Sequence, residues 1–153
     1  MGKLILPLAS ALLLSAASAS AKPNFTGLWK MDASQSNFGQ IPGPASMERT
    51  IKHVDPAMEI STTQAGARGE VKSQVKYTTD GKESPNTLRG EVVKSICQWE
   101  GDTLVIRYSR PVGPAQLSVT ERWMLSAGGD VTTIETQFSG AMPGQWKIVL
   151  RKQ

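Results

Sequence analysis

The chain has 153 residues, with 17 basic and 13 acidic side chains and a formal net charge of +4. That length suits one domain with a real core, and the charges are scattered singly, which excludes a basic block of the kind that holds nucleic acid. One histidine, His53, and one cysteine, Cys97, are too few for a zinc site and leave no internal disulfide.

The N-terminus reads as a secretion signal. Lys3 is followed by an apolar run through Leu14 and then by small residues ending in Ala19-Ser20-Ala21, the charged, apolar and A-x-A order of such segments. The run breaks into Ser and Ala after Leu14, short of the roughly 20 apolar residues a membrane span needs. Residues 1–21 are therefore expected to be removed, leaving 22–153 with no integral membrane segment, in the periplasm or outside the cell. Loss of Lys3 takes the basic residues from 17 to 16 against 13 acids.

After residue 22 nearly every segment alternates with period two, as half-buried strands do. Residues 25–31 form the first candidate. Residues 32–46, with Pro42-Gly43-Pro44, read as a surface loop. Strands follow at 47–54 and 58–64, separated by Asp55-Pro56, and at 71–79 after a turn at 66–69. Asp80-Gly81 is a hairpin signal. A short strand over 87–89 precedes Gly90. Residues 92–99 and 103–110 flank Glu100-Gly101-Asp102, and 111–114 read as a loop. Residues 116–126, 131–139 and 145–152 complete the chain. Short strands at this spacing imply an all-β sandwich or barrel. Cys97 falls within a strand and is expected to be buried and inert.

Catalytic patterns are thin. There is no G-x-S-x-G elbow, no Gly-rich phosphate loop and no calcium-loop spacing of aspartates. Nothing in the spacing of Cys97 and His53 supports a nucleophile and base pair. The residues therefore imply no enzyme, cofactor or metal. Asn24-Phe25-Thr26 fits a glycosylation sequon, which matters only in a eukaryotic secretory pathway.

Asn24-Phe25-Thr26-Gly27-Leu28-Trp29-Lys30 resembles the N-F-x-G-x-W opening of lipocalins and the F-x-G-x-W-K opening of intracellular fatty-acid-binding proteins. The chain also resembles small secreted lipocalin-like proteins of bacteria. The resemblance implies an all-β, antiparallel up-and-down barrel of about 8–10 strands. It implies that Gly27 permits a close approach, that Trp29 plugs the closed end, and that a basic residue packs on that Trp. Arg151 is the first candidate for the basic residue and Arg122 the second. The chain departs from the fatty-acid-binding pattern in two places. Pro42-Gly43-Pro44 stands where two helices are expected, and the last strand, Trp146-Lys147-Ile148-Val149-Leu150-Arg151, lacks R-x-Y.

The function implied is binding of a small apolar or amphipathic ligand. The alternative is a β module with a filled core that binds protein or polysaccharide through its surface. Alternation places Leu117, Val119, Glu121, Trp123 and Leu125 on one face, and Met47, Arg49, Ile51 and His53 on another. A buried carboxylate needs a partner, so Arg49 and Glu121 are expected to pair, with the hydroxyls of Tyr77 and Tyr108 nearby. Arg49, His53, Tyr77, Tyr108, Glu121 and Trp123 are the candidate ligand-binding residues.

Overall fold

The structure is a computed structural model and describes residues 21–153. The secretion-signal reading falls, but for Ala21, outside the described residues.

Ten strands run in chain order: β1 Gly27–Met31, β2 Ser46–Val54, β3 Ala57–Gly66, β4 Gly69–Thr78, β5 Asp80–Leu88, β6 Glu91–Glu100, β7 Thr103–Val112, β8 Ala115–Leu125, β9 Val131–Gly140 and β10 Gly144–Lys152. Each pairs antiparallel with its sequence neighbour, except at β4 and β5, and β1 pairs with β10. The result is an all-β, up-and-down sheet curled into a nearly closed barrel. Period-two alternation favours this, because it gives most strands one apolar face and the curled sheet brings those faces together.

Closure at β4 and β5 differs from the hairpin that Asp80-Gly81 suggested. β4 ladders only with β3, and β5 only with β6. Side chains bridge the seam instead. The Lys76 N–H donates to Asn86 Oδ1 at 2.8 Å, and Asn86 Nδ2 donates to the Lys76 carbonyl at 2.9 Å. The Thr78 N–H donates to Ser84 Oγ at 3.1 Å. The Asn86 amide thus stands in for one peptide of a missing ladder. β5 is also much longer than the short strand expected at 87–89, and it contains Pro85. Proline suits a strand with one unladdered edge.

The two ends of the barrel differ. One carries the start of β1, the end of β10 and the β2–β3, β4–β5, β6–β7 and β8–β9 turns. It is packed solid by Phe25, Trp29, Ile51, Met58, Leu104, Trp123 and Leu150. The other carries the loop over residues 32–45. There Phe38 packs edge-on against Trp146, with ring centroids 5.4 Å apart, and Trp146 packs against Phe138 at 4.6 Å. Near this end the inward face of β4 reaches solvent, with Ser73 exposed and Val71 55% exposed.

Candidate functional site

The floor of the barrel is built first by the start of the chain. Trp29 is fully buried, and its Nε1–H donates to the Phe25 carbonyl at 2.8 Å. Gly27 has φ of 151°, and a Cβ there would lie 2.7 Å from Lys152 Cε. Only glycine lets that lysine lie so close across the strand. The cation over Trp29 is accordingly Lys152, with Nζ 5.8 Å from the ring centroid. Neither arginine anticipated for this role takes it. Arg151 points outward and pairs with Asp32 at 2.7 Å, and Arg122 pairs with Glu100 at 2.8 Å on the outer face. Alternation explains the correction: Ile148, Leu150 and Lys152 share the inner face, and Arg151 lies on the other.

Asp55 completes the floor. Its Oδ1 accepts from Trp99 Nε1 and His53 Nε2, each at 3.1 Å, and from Thr79 Oγ1. Burial would raise this carboxyl, but the hydrogen bonds from Thr79, His53 and Trp99 outweigh it and hold Asp55 below its ordinary range. His53 Nδ1 accepts the Phe25 N–H at 3.3 Å, so Nε2 carries the proton given to Asp55. Phe25, His53 and Trp99 stack with ring centroids 6.0–6.2 Å apart. His53 therefore sits within the floor, with both ring nitrogens engaged, apart from the other candidate residues.

The other five lie next to the floor, and Trp123 is itself part of it. Arg49, Tyr77, Tyr108 and Glu121 all lie on inward faces, yet each keeps part of its surface accessible. Arg49 is half-buried, and its Nε is fully buried. Thr62, Gln64 and Val75, from neighbouring inward positions, keep partial exposure too.

Arg49 and Glu121 do not form the ion pair expected of them, and none between them occurs among the described residues. They are joined through Trp123. The Arg49 guanidinium lies over its ring, 5.3 Å from the centroid, and Trp123 Nε1–H donates to Glu121 Oε2 at 2.8 Å. One indole thus presents its face to the cation and its N–H to the anion. Arg49 Nε is buried without a hydrogen-bond partner among the described residues. Burial lowers the guanidinium from its ordinary value, and Glu121 opposes that shift. The phenols feel the same field. Burial and then Glu121 push Tyr108 up to about 12, and the same two causes push Tyr77 up further.

Cys97 is fully buried, and burial, then Glu121 and Asp55, push its thiol up to about 12. Among the described residues there is no group of three or more His, Cys, Asp or Glu side chains able to hold a metal.

A second concavity lies outside the barrel. It is a groove of about 540 Å³ over the outer faces of β8, β9 and β10, lined by Asn37, Thr120, Arg122, Glu135, Gln137 and Lys147 among others. Its lining mixes polar with apolar groups and includes Thr136, the cross-strand partner of Glu121, and Trp146.

Sequence reasoning missed Lys152, Asp55, Thr79, Trp99 and Asn86. Lys152 already lay within the expected last strand, and following its alternation from Ile148 and Leu150 would have found it. Asp55 and Asn86 carry no local signal, because their partners lie on strands brought close only by closure.

No protein-family model matches the sequence, and a search of curated proteins finds no significant relative. Solved structures do match. The fluorescent protein UnaG superposes with a TM-score of 0.62 at 19% identity, over 84% of this chain and 97% of that one. A secretory abundant heat soluble protein from Ramazzottius varieornatus gives a TM-score of 0.63 at 12% identity, over 88% and 98%. The fold is that of the calycin barrels. A variant of the REP1-NXSQ fatty acid transporter agrees, with a TM-score of 0.56 at 12% identity over 84% and 98%. This chain closes its β4–β5 seam with Asn86 and Ser84, and its segment over residues 32–45 contains no helix.

Proposed function

We propose that the protein is an exported carrier that holds a small apolar or amphipathic molecule inside its barrel. The observation that carries this reading is the inward cluster of Arg49, Glu121, Tyr77 and Tyr108, partly accessible and not paired into an ion bridge, above an apolar floor. A few convergent polar groups in an apolar concavity are what orient a small ligand. One structural neighbour is a fatty acid transporter, which is consistent with a carrier on this fold. Binding rather than catalysis is favoured because Cys97 is sealed and both ring nitrogens of His53 are engaged. Export rests on the sequence of residues 1–21 and predicts a mature chain beginning at Lys22.

Native mass spectrometry of the protein purified from its own host tests the reading. A small-molecule mass increment that is lost on denaturation is the expected result. A bare mass, together with no uptake of N-phenyl-1-naphthylamine, would contradict it.

The outer groove offers the competing reading, in which a saccharide or peptide lies across β8–β10. Its polar lining, Thr120, Gln137 and Asn37 with Arg122 and Lys147, favours such a partner.

A further inference from the structure

The interior polar cluster also selects the head group of its ligand. We infer that the barrel prefers an uncharged head carrying both a hydrogen-bond acceptor and a donor, of the carboxamide kind, on an apolar tail, over either a carboxylate or an ammonium. This rests on the interior-binding reading above.

The argument begins with charge. The cluster contains one cation and one anion, Arg49 and Glu121, which do not neutralise each other by direct contact. Each uses a different part of Trp123. The guanidinium gives only its π contact to the protein, and no hydrogen bond from it is found among the described residues, so its N–H groups are the donors waiting for an acceptor. Glu121 has one oxygen occupied by Trp123 Nε1, and its other oxygen accepts from no described side chain. The site therefore offers donors from one residue and an acceptor from another, separated by more than ion-pair distance.

A carboxylate entering this space would gain from Arg49 and be repelled by Glu121. The same charge bears on the protein's own groups: after burial, the larger cause, Glu121 raises Tyr77, Tyr108 and Cys97, while Arg49 lowers the two phenols. An ammonium would meet the opposite conflict. A carboxamide has a carbonyl oxygen for Arg49 and N–H groups for Glu121, and it adds no net charge to a partly desolvated space. Tyr77 and Tyr108 can donate or accept as the head requires.

The test is displacement of N-phenyl-1-naphthylamine, an uncharged probe, from the purified protein by dodecanamide, dodecanoate and dodecylamine at about pH 8, where the acid and the amine are both ionised. Dodecanamide should displace the probe with about tenfold higher affinity than either charged competitor. Glu121→Gln keeps an acceptor for Trp123 Nε1 and removes the negative charge. It should raise dodecanoate affinity about tenfold and abolish the preference for the amide. Arg49→Met should shift the preference toward dodecylamine by a similar factor. Tighter binding of dodecanoate than dodecanamide to the unmodified protein would overturn the inference, as would a ratio unchanged by Glu121→Gln, while leaving interior binding intact. Failure of the probe itself to bind would overturn the interior-binding reading and the head-group inference with it.

Discussion

Asp55→Ala is the substitution whose cost follows most directly from the geometry. The side chain is short and half-exposed, so little apolar contact is lost with it. What it leaves behind is three donors. Thr79 and His53 are 4% and 2% exposed, so water reaches them poorly, while Trp99 is half-buried. Each buried donor left without a partner costs about 1–3 kcal/mol. Two such donors give about 2–6 kcal/mol. The Thr79 hydroxyl can rotate, and water can enter where the carboxylate stood, so about 2–4 kcal/mol is expected. For a domain of this size that lowers Tm on the order of 10 °C. Urea unfolding followed by far-ultraviolet circular dichroism measures the change, with the slope m expected to stay constant. Asp55→Asn keeps one acceptor oxygen and should fall between the two proteins. A loss below about 0.5 kcal/mol for Asp55→Ala, the range of an ordinary surface substitution, would refute the view that this carboxylate ties the floor together.

Other outcomes follow from the same structure. Trp29→Ala empties the centre of the floor and should cost about 3–5 kcal/mol in a denaturant melt; an unchanged midpoint would contradict its role as plug. Asn86→Ala removes the two hydrogen bonds across the β4–β5 seam. Hydrogen exchange should show the Lys76 amide exchanging faster while Tm falls by only a few degrees, since the seam lies near solvent. Asp32, Asp55, Asp80 and Glu100 are all held below their ordinary values, Asp32 at about 2 by Ser34 and then Arg151. Because the folded values are depressed, their contribution is complete above the unfolded carboxyl range of about 4 and is lost as pH falls through the folded values. Tm should therefore be flat above about pH 5 and decline toward about pH 2; a rise in Tm over that interval would contradict the assignment.

The barrel was legible because alternation is a local property. The inward faces read from Met47 to His53 and from Leu117 to Leu125 are the faces the curled sheet turns to its interior. Gly27 and Trp29 marked the closed end, where a Cβ at Gly27 would strike Lys152. The errors came where two distant strands decide the outcome. Asp80-Gly81 carries hairpin chemistry, yet the strands on either side do not ladder, and Pro85 was the one local hint of an unladdered edge. Arg49 and Glu121 were rightly placed on inner faces, but alternation gives no distances. Whether two charges meet, or each settles on a different side of Trp123, depends on the curvature of the closed sheet.

The four tryptophans provide the most direct test of the central claim, because they occupy distinct places: Trp29 and Trp99 in the floor, Trp123 between Arg49 and Glu121, and Trp146 beside the outer groove. Each indole N–H gives its own resonance in a nitrogen-15 correlation spectrum. Titration with dodecanamide should shift the Trp123 indole strongly, since its N–H is bound to Glu121 and its ring to Arg49. A titration that leaves the Trp123 indole in place would contradict binding beside Arg49 and Glu121 inside the barrel.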